Sequence, residues 1–129
     1  MTEPEWIEKT TLMLLVGETL ADHGGARGLR DEGLLESALG RPQNLYAYEG
    51  VTEIARLAAA YGFGIAKNHP FIDGNKRAAL IALMTFVELN GHVFKASQIE
   101  AFQTILALAT GDVTELELAA WVRRNIEAP

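Results

Sequence analysis

The segment NHPFIDGNKRAAL, residues 68–80, places His69, Asp73, Asn75, Lys76 and Arg77 within a few turns of chain, around an Asp-Gly pair and ahead of an apolar run. The apolar run reads as a helix whose first turn carries two adjacent cations. That arrangement opposes the helix dipole, which favours acidic residues at this end, so the pattern lacks an anion. Free backbone N–H groups at the helix start, presented through the flexible Asp73-Gly74 turn, together with Asn75, Lys76 and Arg77, make an anion site suited to phosphate. Asp73 is the one carboxylate beside those cations, and Mg2+ typically binds through one or two carboxylates plus substrate phosphates. His69 precedes the site on a strand or loop. Histidine suits proton abstraction near neutral pH and could take the proton of a hydroxyl attacking that phosphate. As residue types alone, the same segment has a plainer reading, because His-Pro and Asp-Gly are common turn formers and an exposed Lys-Arg pair is commonly a solvated face.

The elements that must position these residues read as helices throughout. Thr2 with Glu5, Ser97 with Glu100, and Thr114 with Glu117 fit the capping-box spacing and predict helix starts near residues 3, 98 and 115. Asp31 can cap a helix running to about Leu39, where Gly40-Arg41-Pro42 would stop it, and Thr52 can cap another through about Lys67. The motif opens a sixth helix from about Gly74 to Leu89, closed by Asn90-Gly91. Ala78, Ala79, Leu80, Ile81, Ala82, Leu83, Met84, Phe86, Val87 and Leu89 cover nearly every face of it, which predicts a buried central helix. Gly24-Gly25 and Gly28 mark a loop, and residues 43–51 could form a short hairpin. The pattern is all-α, with six helices in one domain over residues 1–129.

Bulk properties narrow the function class. A chain of 129 residues with 49% apolar and 22% charged residues is of ordinary globular type and should bury about two thirds of its unfolded surface. A formal charge of −6 argues against a broad nucleic-acid footprint, which needs clustered Lys and Arg. There is no cysteine for a disulfide or thiolate site, and His23, His69 and His92 stand far apart without metal-ligand spacing. Glu3 and Glu5 near the start do not suit a signal peptide, and the apolar runs fall short of a membrane span, so a cytoplasmic protein is expected.

HPFIDGNKR, residues 69–77, resembles the signature of the Fic/Doc superfamily, HPFx(D/E)GN(G/K)R, at every fixed position. The resemblance extends to the Gly24-Gly25 loop, to RDEGLLESALGRP and to the ELNG that closes the motif helix, all similar to the Doc (death-on-curing) toxins, and the six-helix count suits the compact Doc fold. Fic enzymes that transfer AMP usually have glycine where this chain has Lys76 and a second arginine where it has Leu80. Both departures point towards Doc, whereas Gly74 is the residue that Fic enzymes share and Doc replaces with alanine.

The resemblance therefore implies a toxin that transfers the gamma-phosphate of ATP, with Mg2+, to a protein hydroxyl, in Doc's case a threonine of translation elongation factor Tu. It makes His69 the base for that hydroxyl and Asp73 the residue that orients substrate or helps hold Mg2+. Gly74 and Asn75 would line the anion hole, while Lys76 and Arg77 would neutralise transferring and leaving oxygens. Phosphoryl transfer is largely positioning and charge stabilisation, so a short motif can suffice. An AMP transferase and a catalytically silent binding module remain the alternatives.

Phe71 reads as a core anchor rather than a participant. Gly62-Phe63-Gly64 lacks the strand and third glycine of a dinucleotide fingerprint and reads as packing. His23 and His92 read as surface or satisfied histidines. Arg30 and Asp31 open the Doc-like segment, with helix capping the role for Asp31. Many Fic proteins inhibit themselves through (S/T)xxxE(G/N), but Glu32-Gly33 and Glu49-Gly50 are preceded at that spacing by Gly28 and Leu45. Inhibition by a separate, Phd-like antitoxin is therefore expected, through a segment that folds on binding.

Overall fold

A computed structural model describes residues 2–23 and 28–129, with residues 20–23 described by their backbone alone. The described residues form α1 (Lys9–His23), α2 (Glu32–Glu49), α3 (Ile54–Asn68), α4 (Asn75–Leu89), α5 (Gln98–Thr110) and α6 (Glu115–Asn125). Six helices were expected and six are present among them. The departure from all-α is a pair of two-residue antiparallel strands, β1 (Val93–Phe94) and β2 (Ile126–Glu127), with Val93 opposite Glu127 and Phe94 opposite Ile126. The Gly24-Gly25 part of the expected loop and the side chain of His23 lie outside the described residues. No described helix is long and apolar enough to cross a membrane.

The most enclosed element is α3, which packs against α2, α4, α5 and α6. Its small residues, Ala55, Ala58, Ala59, Ala60, Gly62, Gly64 and Ala66, are all buried, and small side chains let neighbouring helix axes approach closely. A Cβ on Gly64 would stand 3.2 Å from Cα and Cβ of Ala38 in α2, which makes the packing reading of the Gly-Phe-Gly segment concrete. The burial expected of α4 holds along one broad face of it, and α3 is enclosed further still. On α4 the face made by Ala78, Ala79, Ala82, Leu83, Phe86 and Val87 is buried, whereas Leu80, Ile81 and Met84 are half-buried and Leu89 is exposed.

Three helix boundaries differ from the sequence expectation. Helix α2 does not stop at Gly40-Arg41-Pro42 but runs through Pro42 to Glu49, so residues 43–49 are helix rather than hairpin. An interior proline costs about 3 kcal/mol in lost hydrogen bonding and steric clash. Leu35, Ala38, Leu39, Pro42 and Leu45 form one buried stripe across that point, and full burial of a single leucine is worth about 1.5–3 kcal/mol. The stripe therefore carries the helix past the break, until Gly50 takes a left-handed conformation (φ 68°) and its N–H closes on Leu45 O.

The first helix starts at Lys9 rather than near residue 3, and Thr2 and Glu5 form no capping box. Tertiary partners satisfy the backbone there instead. Glu5 N donates to Asn90 Oδ1 at 2.9 Å and Ile7 N to the Tyr61 hydroxyl at 3.1 Å, while the Trp6 ring stacks on Phe86 at 5.7 Å. At α3 the N-cap is Glu53 rather than Thr52, and its carboxylate pairs with Arg123 of α6, Nη2 to Oε1 at 2.6 Å. The caps at Asp31, Ser97 and Thr114 form as expected. Thr114 with Glu117 makes the full capping box, whereas Glu100 turns its carboxylate to Trp121 Nε1 at 3.2 Å.

Candidate active site

The motif occupies the connection between α3 and α4, and its conformation follows from the residue order. Proline disfavours the helical region at the residue before it, so α3 ends and His69 becomes its C-cap in the left-handed region (φ 50°, ψ 55°), with its N–H on Ile65 O. His69 is the one non-glycine residue with positive φ among the described residues. Pro70 and Phe71 are buried, Phe71 to 3% exposure, as the anchor reading requires. Residues 28–31 lie antiparallel to this connection. Arg30 N and Asp31 N donate to Pro70 O at 2.7 and 3.1 Å, Ile72 N donates to Gly28 O at 3.0 Å, and Leu29 bridges Phe71.

Asn75 closes the loop from the other side, accepting from Phe71 N at 2.9 Å and donating Nδ2 to Phe71 O at 3.0 Å. Its side chain is thus a brace for the loop, which leaves its backbone N–H for the helix start. Gly74 is the N-cap of α4 with φ 75°, a conformation suited to glycine, and has no side chain with which to cap the helix. The helical ladder begins with Ala78 N on Gly74 O at 2.9 Å. The N–H groups of Asn75, Lys76 and Arg77 precede that first bond and form the positive end of the helix dipole.

Lys76, Arg77 and Asp73 are exposed. Asp73 accepts from Gly74 N through Oδ1 at 2.9 Å, and its Oδ2 takes no hydrogen bond among the described residues. Among the described residues neither Lys76 nor Arg77 forms an ion pair with a carboxylate. His69, Asp73, Gly74, Asn75 and Lys76 thus share one loop and helix start. The Arg77 guanidinium is drawn over the Phe102 ring of α5, 5.6 Å from its centroid. There it borders a cavity of about 570 Å³ between α4 and α5, lined also by Leu80, Ile81, Met84, Ile99 and Phe102. That cavity and the Arg77–Phe102 contact could not be read from the motif, because they depend on where α5 docks.

Arg30 is the other contributor that the residue types did not disclose. Its Nε donates to His69 O at 2.7 Å and its Nη2 to Asn68 O at 2.8 Å. Asp31 caps α2 as expected, accepting from Leu34 N at 2.9 Å. His92 is satisfied through Asn90 O at 3.1 Å, in line with its unremarkable reading. No group of three His, Asp or Glu side chains gathers to hold a metal ion among the described residues.

Residues 6–87 match the Fic/DOC family. Over 119 residues the chain is 32% identical to "Protein kinase doc" of Escherichia phage P1, covering 92% of this chain and 93% of that one. A stretch of 69 residues is 42% identical to "Toxin Doc" of Mycolicibacterium smegmatis and covers 53% of each chain. With the signature on the α3–α4 connection and the likeness running through nearly the whole helical fold, the chain belongs to the Fic/DOC family and is Doc-like.

Proposed function

We propose that this chain, acting as one domain, is a Doc-like toxin that transfers the gamma-phosphate of ATP to a hydroxyl of a cytoplasmic protein. Elongation factor Tu is the target that the resemblance implies, and a Phd-like antitoxin supplied in trans holds the toxin in check. The observation that carries the reading is the uncapped, cationic start of α4 beside an exposed histidine, with neither cation neutralised by an ion pair among the described residues. The name "Protein kinase doc" borne by a relative that spans nearly the whole chain supports the same chemistry.

In this reading the target hydroxyl gives its proton to His69 as its oxygen bonds to the gamma-phosphorus. The bond to the beta–gamma bridging oxygen breaks, and ADP leaves with that electron pair. The N–H groups of Asn75, Lys76 and Arg77 and the two cationic side chains stabilise the phosphate oxygens as charge redistributes. Asp73, whose Oδ2 takes no hydrogen bond among the described residues, fits the single-carboxylate role in a Mg2+ site completed by nucleotide phosphates. When bound, Mg2+ would neutralise phosphate charge there. The reading is tested by expressing the protein without an antitoxin, with growth arrest and stalled translation expected, and by weighing the modified target. A mass gain of one phosphoryl group supports the proposal, and a gain of an adenylyl group replaces it with AMP transfer.

A further inference from the structure

The imidazole of His69 has no hydrogen-bond partner among the described residues, so no hydrogen bond to the ring fixes its place and its position depends on the backbone beneath it. That backbone is in a conformation costly for a non-glycine residue, and such conformations persist where surrounding contacts over-determine them. Arg30 supplies such contacts. Its planar fork takes the carbonyls of Asn68 and His69 together, at 2.8 and 2.7 Å, at the end of α3 where carbonyls lack helical partners and the dipole favours a cation. The Arg30 backbone is itself pinned to Pro70 O, and Asn68 Nδ2 reaches across to Leu34 O in α2 at 3.0 Å. The fork therefore references the His69 peptide to the start of α2.

We propose that Arg30 is a positioning residue that holds His69 in its left-handed conformation and so aims the imidazole at the start of α4, an inference that rests on the reading of His69 as the base. Misplacing a reacting group by about 1 Å can cost roughly 100-fold in rate, so Arg30→Ala should lower kcat by about 10- to 100-fold while the KM for ATP changes little. Arg30→Lys should recover only part of the loss, since a single ammonium cannot span both carbonyls as the fork does.

The test measures gamma-phosphate transfer from labelled ATP into proteins of a bacterial lysate by the full chain, Arg30→Ala, Arg30→Lys and His69→Ala. In parallel, the His69 ring resonance, assigned by its absence in His69→Ala, is followed by NMR together with thermal melting. A fall in kcat accompanied by a moved or broadened His69 resonance, in a variant that still melts cooperatively, is the expected result. If His69→Ala is inactive but Arg30→Ala turns over normally, or loses rate with the His69 resonance unmoved, the positioning role alone is overturned. If the unaltered chain transfers no label, or His69→Ala transfers it at the normal rate, the reading of His69 as a base fails and the positioning role falls with it.

Discussion

The side chain of Asn75 holds the backbone of Phe71 at both ends of one peptide residue, accepting from its N–H at 2.9 Å and donating to its carbonyl at 3.0 Å. Only an amide offers that donor and acceptor together at this length. Asn75→Asp keeps the acceptor but sets a charged oxygen against Phe71 O and brings a negative charge to the proposed anion site. The substitution should destabilise the protein by about 1–3 kcal/mol in urea unfolding and abolish detectable phosphate transfer. Transfer near the normal rate would remove the loop brace from the account.

In the proposed reading, Lys76 carries the choice between two chemistries. Lys76→Gly removes a cation from the α4 start and loosens its first turn, so most gamma-phosphate transfer should be lost. Leu80, half-buried on the cavity side of α4, still occupies the position where AMP-transferring relatives keep a second arginine. Efficient incorporation of label from the alpha-phosphate is therefore not expected in this variant. Its appearance would show that Lys76 alone separates the two reactions.

The two glycines of α3 should respond oppositely to alanine. A methyl on Gly62 would meet Leu118, Leu83 and Ala79 O at 3.5–3.7 Å, ordinary contact distances, so Gly62→Ala should be neutral or stabilise by up to about 1 kcal/mol through helix propensity. A methyl on Gly64 would meet the Cα, Cβ and carbonyl oxygen of Ala38 at 3.2–3.4 Å, where the obstruction is largely backbone. Gly64→Ala should therefore lose stability, by about 1–3 kcal/mol. Denaturant midpoints of the two variants check the pair, and equal shifts would contradict the close approach of α2 and α3.

Tyr61 is fully buried, and desolvation pushes its hydroxyl up to about 12, against the opposing influence of the Ile7 N–H, which favours the phenolate. The folded value lies above the ordinary 10.0, so its contribution to stability is fully present below pH 10 and is lost as pH rises through about 12. Phenolate absorbance should show one component, missing in Tyr61→Phe, that ionises only near pH 12 or with unfolding. Ionisation of that component near pH 10 in the native protein would contradict the burial of Tyr61 and its contact with Ile7 N.

What could be read from the sequence was local. Asp31, Ser97 and Thr114 cap helices because their partners lie three residues away, and the motif disclosed its helix start through the order of Gly74, Asn75, Lys76 and Arg77. The misread features depend on distant chain. Thr2 and Glu5 fit a capping box, yet Asn90 and Tyr61, remote in sequence, take the backbone of residues 5 and 7. Pro42 obeys the local rule for a stop, but the buried stripe on α2 overrides it. The pairing of β1 with β2 joins residues 93–94 to 126–127, a separation at which two-residue strands leave no periodic signal. Arg30 stood out only through the resemblance, since its fork onto Asn68 and His69 exists only once α2 and α3 have packed.

The most direct measurement of the central claim is incorporation of label into lysate protein from ATP carrying the isotope at either the alpha or the gamma phosphate, with the unaltered chain and His69→Ala side by side. Loss of a positioned general base commonly costs about 10² to 10⁴ in rate. Gamma-label incorporation by the unaltered chain, none from the alpha label, and near-complete loss in a folded His69→Ala are expected. Alpha-label incorporation with pyrophosphate released, or normal gamma-label transfer by His69→Ala, would contradict that claim.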